Sequence, residues 1–317
     1  MRRRSLLRTL AVAAPAAAVT GGATVPVAAA DEPHRHRRAL VPVPTAEPDW
    51  RPVAEALGRL GTLSGGTVYR VGLARRDLAV TSYGVRIKAG LSLGSYAAFA
   101  RYRDGKAMAM GDLVVTEAEL QPVTDALHAH SIGQSALHKH LLAHDPAVWW
   151  THFHAIGDPA GIAAGIRAAL DATATPPPAP PTPTPPLGLD TAGIDAAFGT
   201  AGTNDGGIYK FTFARDETIA VHGRVAPPAM GVTTAIGFQP VGDGQAAVNG
   251  DLAMTTHEVQ DVIVALRGGG IAVVELHNHA LDDEPRLFYL HFWAVRGGVA
   301  LARTLALAIA ATCVHPA

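Results

Sequence analysis

The chain has 317 residues, 48% hydrophobic and 17% charged, with a formal net charge of −1. That length allows two ordinary domains with real cores. The near-neutral balance gives no electrostatic reason to expect nucleic acid or an acidic membrane surface as a partner, and the single cysteine, Cys313, excludes an intramolecular disulfide.

The first 30 residues read as a signal peptide. Arg2, Arg3, Arg4 and Arg8 precede a mildly apolar run over residues 10–27, and Ala28-Ala29-Ala30 offers an A-x-A cleavage site. Arg3-Arg4 followed by Ser5-Leu6-Leu7 resembles a twin-arginine export signal. The expected location is therefore secreted or associated with the cell envelope. No later stretch is apolar for long enough to be a transmembrane helix. Residues 31–49, with four prolines and the basic HRHRR, are expected to form a flexible arm.

Residues 173–186, TATPPPAPPTPTPP, mark the clearest boundary. Such a segment favours polyproline II and, at roughly 3.1 Å per residue, makes a spacer of about 40 Å. It separates an expected repeat domain at 50–172 from a second at 187–317. Leu63–Asp77, LSGGTVYRVGLARRD, parallels Thr203–Glu217, TNDGGIYKFTFARDE. Gly111-Asp112-Leu113 parallels Gly250-Asp251-Leu252. Val68–Ala74 and Ile208–Phe213 read as strands from their β-branched and aromatic content.

A helix follows in each copy. Thr116 with Glu119, and Thr255 with Glu258, fit a capping box, so the glutamates read as helix starts and not as catalytic acids. Leu120, Val123 and Leu127 continue at helical spacing, as do Val259, Val262 and Leu266. Gly268-Gly269-Gly270 reads as a C-cap and turn. Two further strands and an Ala-rich helix close each copy, over 159–172 and 298–312, and Cys313 is expected to pack at the end of the second. The expected fold class is α+β: two homologous domains, each an antiparallel sheet with two helices.

The last two strands of each copy carry the most distinctive residues. His138, His140 and His152 in the first recur as His277, His279 and His291 in the second, each 139 positions on. Residues i and i+2 share a strand face, so each H-x-H pair faces one way, and an antiparallel neighbour brings the third imidazole about 5 Å away. Each trio is expected to form a cluster in its own domain. Three imidazoles suit a divalent transition metal, zinc foremost, with copper and iron also compatible. His154 is a further candidate ligand in the first copy, where the second has Trp293. Glu275 lies two residues before His277 and is the candidate catalytic base, while its counterpart is Ala136. The second domain is accordingly the expected seat of any chemistry. Leu137, Phe153, Leu276 and Phe292 point the other way and are expected to be core. His144, in the connecting loop, is a weaker candidate, and His222, His257 and His315 read as surface residues.

Taken together, the duplicated Gly-Asp-Leu, helix, His-x-His and His-Phe pattern resembles the LppY/LpqO family of exported bacterial lipoproteins. The resemblance covers Pro52–Ala172 and Asp190–Thr312. It is fuller in the second half, through Gly250-Asp251, His277-Asn278-His279 and His291-Phe292. It implies an envelope location and a duplicated fold unit, without an activity. No cysteine stands directly after the apolar run of residues 10–27, so lipid anchoring is not expected.

Three functional classes fit these features. The leading one is an exported metal-binding protein. The second is a metal-dependent hydrolase centred on the second domain, with Glu275 or one of Asp282, Asp283 and Glu284 as its acid–base group. The third is a non-metal envelope module holding an unknown small molecule or envelope component in a groove near Trp149, Trp150, Tyr289 and Trp293. A cupin-like barrel is a fold-level alternative, disfavoured by the capped helix that precedes each H-x-H strand.

Overall fold

The computed structural model describes residues 39–180 and 183–317. The expected signal peptide (1–30), residues 31–38 of the expected arm and residues 181–182 lie outside the described residues.

The strands of the two large sheets are numbered here in chain order. In the first repeat they are β1 (Thr62–Ser64), β2 (Val68–Gly72), β3 (Tyr96–Arg101), β4 (Ala107–Thr116), β5 (Gly133–His138) and β6 (Val148–Gly157). In the second they are β7 (Thr203–Asp205), β8 (Ile208–Arg215), β9 (Thr233–Gly242), β10 (Gln245–Thr255), β11 (Ala272–His277) and β12 (Leu287–Gly297). The sheets are antiparallel and have the same order, β1-β2-β3-β4-β6-β5 and β7-β8-β9-β10-β12-β11, with Val314–Pro316 added beside β8. The α+β class and the duplication are both realised.

Each repeat carries one main helix more than the two expected. The helices are α1 (Arg51–Leu57), α2 (Glu117–Ala129) and α3 (Pro159–Asp171), then α4 (Thr191–Phe198), α5 (Val259–Gly268) and α6 (Gly298–Ala310). The capping box of Thr116 and Glu119 is complete. In the second repeat Glu258 accepts from the Thr255 backbone N–H, but the helix starts only at Val259.

Strand alternation sorts the side chains into two faces. Ala109, Leu113 and Val115 of β4 and Phe153 of β6 pack with α1, α2 and α3, and the equivalent face of the second sheet packs on α4, α5 and α6. The opposite faces bury residues of both repeats together. One such cluster joins Ala98 and Met108 to Ala253 and Tyr289, and another joins Val114 and Trp150 to Ala247 and Trp293. The sheets therefore meet face to face with helices outside, and the histidine strands bring their polar residues to the inner layer.

A buried arginine locks each repeat. Arg75 donates to Asp77, Glu119 and the Val114 carbonyl, and Arg215 to Glu217, Glu258 and the Ala253 carbonyl. Burial alone would raise the pKa of Glu119 and Glu258, but the arginine hydrogen bonds and backbone N–H donors hold both below the ordinary glutamate value.

Several local expectations change. Leu137 and Leu276 are exposed, at 46% and 44%, because β5 and β11 are sheet edges whose ends the helices do not cover. Cys313 lies past the end of α6 and is exposed. Residues 39–49 of the expected flexible arm run along the fold, with Leu40 exchanging backbone hydrogen bonds with Gly223 and Val225. Parts of the Pro-rich segment are also tied down: Arg59 and Arg76 donate to the Pro176 and Pro177 carbonyls, and Asn204 to that of Pro185.

Candidate metal centre

Each histidine reaches the inner layer by a definable route. His152 and His291 are mid-strand residues of β6 and β12, placed opposite Asp112 and Asp251 of β4 and β10. His138 and His277 end the edge strands β5 and β11, after a bulge that shifts the register between Gln134 and Ala136 and between Val273 and Glu275. His140 and His279 lie just beyond those strands. The Gly-Asp-Leu motif now has a physical reading. A Cβ at Gly111 would meet Phe153 at 2.3 Å, and one at Gly250 would meet the Ala235 carbonyl at 2.1 Å, so glycine permits the close packing beside each aspartate.

The two trios do not form separate clusters, as the sequence alone led one to expect. They interleave. The His138 ring stacks on His277 at a centroid distance of 4.0 Å, His140 lies 3.8 Å from His291, and His152 lies 3.9 Å from His279. Nitrogens of His138, His140 and His291 come within 4.8 Å of one another, as do those of His138, His152 and His277; a third group is Asp251 with His277 and His279.

For three of the rings, hydrogen bonds fix which nitrogen faces the centre. The Nδ1 atoms of His152, His279 and His291 lie 3.3, 2.8 and 2.7 Å from the carbonyl oxygens of Gly111, Gly231 and Gly250. A carbonyl can only accept, so Nδ1 carries the proton; in the neutral rings of His152 and His291 Nε2 then keeps a free lone pair, whereas His279 Nε2 lies 2.9 Å from Asp251 Oδ2. The Nε2 atoms of His152, His277 and His291 are buried without a hydrogen-bond partner, as are Asp112 Oδ1 and Asp251 Oδ1.

Electrostatics favour neutral rings. Burial, reinforced by neighbouring imidazoles, pushes His138, His140, His152 and His277 well below the ordinary histidine value. Burial also lowers His291, although Asp251 opposes it. Asp112 rises to about 8, through burial and then the nearby Asp251 carboxylate. For Asp251 burial acts upward, but His291 and His279 hold the carboxyl below its usual range. Neutral imidazoles beside a carboxylate are the protonation state that a divalent ion requires.

The other sequence candidates lie elsewhere. Glu275 accepts from the Lys139 backbone N–H at 2.8 Å and belongs to none of the converging groups. His154 stacks on His222 at 4.3 Å, outside the six-histidine cluster. His144 is bound to the Leu141 and Val148 backbone. Sequence reasoning missed Asp112 and Asp251 as site residues, although their 139-residue offset equals that of the histidines. A cavity of about 510 Å³ reaches the cluster at Asp112, His140, His152, Asp251, His279 and His291, while His138 and His277 do not line it.

The profile of one protein family matches residues 51–172 and again 192–311. The chain belongs to that family, described as a Domain of Unknown Function (DUF1259). Both DUF1259 copies span a complete histidine trio and its aspartate. No curated protein matches the chain. Among solved structures, EtuB from Clostridium kluyveri is similar at 9% identity and a TM-score of 0.23, over 79% of this chain and 90% of that one. The trimeric bacterial microcompartment shell protein PduB is similar at 13% identity and a TM-score of 0.20, over 79% and 89%. Likenesses this low carry no argument about the DUF1259 repeats.

Among the described residues no helix is long and apolar enough to cross a membrane.

Proposed function

We propose that this chain is an exported protein that binds a divalent transition metal at one centre shared by its two repeats. The observation that carries the reading is the pair of buried, unpartnered Nε2 atoms of His152 and His291, on rings whose Nδ1 protons are committed to backbone carbonyls, beside the buried His277 ring with neither nitrogen partnered. Buried polar atoms are seldom left unsatisfied, and imidazoles oriented by a carbonyl behind them are the usual form of a histidine ligand. His138, His140, His152, His277, His279 and His291 are the ligands proposed, with Asp112 and Asp251. An all-nitrogen and oxygen donor set suits zinc, copper or iron. The twin-arginine-like N-terminus and the resemblance to the LppY/LpqO family support an envelope or secreted location.

A second reading, a metal-dependent hydrolase, is favoured by the cavity that reaches the cluster. A bound divalent ion supplies Lewis acidity and lowers the pKa of a bound water. Arg70 and its counterpart Lys210, the latter paired with Asp205, line the same cavity. Glu275, with its carboxylate engaged by Lys139, is not the base in this reading, and the second domain has no privilege over the first.

The experiment is elemental analysis of the purified, naturally processed protein, before and after reconstitution with zinc, copper or iron and removal of free ion. Stoichiometric retained metal, lost in a His138→Ala/His277→Ala variant, is the expected result. A wild type that retains no metal under any of these conditions would contradict the proposal. Assays of the loaded protein against ester, amide and phosphoester substrates then separate binding from hydrolysis.

A further inference from the structure

We infer that the shared centre holds two ions, and that each is held by the H-x-H pair and aspartate of one repeat together with the third histidine of the other. This rests on the metal-binding reading above and specifies its stoichiometry and wiring. One ion takes Asp112, His138, His140 and His291. The second takes Asp251, His277, His279 and His152.

Three observations lead there. The first is that the converging groups include two with no member in common, His138 with His140 and His291, and Asp251 with His277 and His279; in the remaining group His152 converges on His277 of the second set and on His138, where the two sets adjoin. Eight ligand residues exceed what one tetrahedral ion can use. The second is the spacing within each set. His138 Nε2 and His140 Nε2 are 3.0 Å apart, and His140 Nε2 is 3.4 Å from Asp112 Oδ2. In the other set, Asp251 Oδ2 is 2.9 Å from His279 Nε2 and 3.9 Å from His277 Nε2. Two nitrogens on a tetrahedral zinc ion are roughly 3.3 Å apart, given bonds of about 2.0–2.1 Å. These separations bracket that value, so small adjustments bring the H-x-H pair and aspartate of each set onto an ion.

The third is the pairing of the remaining histidines. His152 and His138 share a repeat, but the His152 ring lies 4.8 Å from His138 and only 3.9 Å from His279 of the other repeat. The His291 ring lies 4.7 Å from His277 of its own repeat and 3.8 Å from His140 across the interface. The same exchange occurs in both directions, as a duplicated unit closing on its own copy requires. Each site is then three imidazoles and one carboxylate, and neither can be completed by one repeat alone. Loading the ions would therefore also join the repeats.

Two double variants of the full chain distinguish this wiring from the in-repeat alternative. His152→Ala/His277→Ala removes two ligands from one proposed site and none from the other. His138→Ala/His152→Ala removes one ligand from each. Both are loaded with zinc or cobalt, exchanged against a chelator of moderate strength and analysed for retained metal, with circular dichroism of the metal-free protein as the check on folding. The expected result is two ions in the wild type, one tightly held ion in the first variant, and loss of both tight ions in the second. The reverse pattern between the two variants, or a single ion in the wild type, overturns this inference and leaves the metal-binding reading standing. No retained metal in the wild type overturns both. If either alanine pair fails to fold, the corresponding His→Gln pairs provide the same comparison.

Discussion

The two repeats agree and differ in different places. They agree at the centre and its supports: His138 and His277, His140 and His279, His152 and His291, Asp112 and Asp251, and the arginine locks Arg75 and Arg215. They differ at residues that fasten one repeat to the other. Ser135, where the second repeat has Val274, donates to the His279 carbonyl. Asn249, where the first has Met110, donates to the His140 carbonyl and accepts from Ser92. Glu275, where the first has Ala136, holds the Lys139 N–H, and Asn278, where the first has Lys139, donates to the Ser135 carbonyl. Each H-x-H loop is thus fixed by the opposite repeat. Duplication supplied two matching histidine–aspartate sets, and the asymmetric residues orient them against each other.

The largest expected effect lies in the shared part. Arg75→Met and Arg215→Met each leave carboxylates without their buried partner and should lower unfolding stability by about 3 kcal/mol or more. Comparable losses in the two variants, measured by urea denaturation, would support equal roles; a loss in one alone would break the equivalence. The same locks set an acid response. Because Glu119 and Glu258 titrate lower in the folded chain than when unfolded, their stabilisation is present above the ordinary glutamate value of about 4.3. It is lost as pH falls through the lowered folded value. Urea midpoints measured over that acidic window should drop in the wild type and drop less steeply in the arginine variants.

Smaller effects belong to the asymmetric residues. Asn249→Leu should cost about 2 kcal/mol, because the His140 carbonyl and Ser92 hydroxyl lose a buried partner. It should also weaken metal retention, whereas Met110→Leu, at the equivalent position, should change stability by less than about 1.5 kcal/mol and leave retention intact. Glu275→Ala should cost about 1 kcal/mol through the lost bond to Lys139 while keeping its metal. Loss of metal in that variant, seen by elemental analysis, would restore Glu275 to the centre.

Much of this was legible in the chain. The H-x-H pairs, the strands bearing them and the helices after them follow from periodicity and capping, because those signals are local. The 139-residue offset already tied Asp112 to Asp251, but a lone aspartate in a strand carries no ligand signature until its neighbour across the sheet is known to be histidine. The approach of His152 and His291 to rings of the opposite repeat was not legible at all. It depends on two sheets meeting face to face, and strand alternation says which residues share a face without saying what that face meets. The first helix of each repeat was missed because a segment as short as Arg51–Leu57 shows too few turns for a period. Leu137 and Leu276 were misread because alternation puts them on the helix-bearing face, and only the sheet order shows that they project past the helices at an edge.

Anomalous diffraction from crystals of the zinc-loaded or cobalt-loaded protein tests the shared centre most directly. Anomalous peaks are expected inside the six-histidine cluster, each within bonding distance of Nε2 atoms from both repeats. Peaks coordinated by residues of one repeat only, or metal bound anywhere else with the cluster empty, would contradict a shared centre.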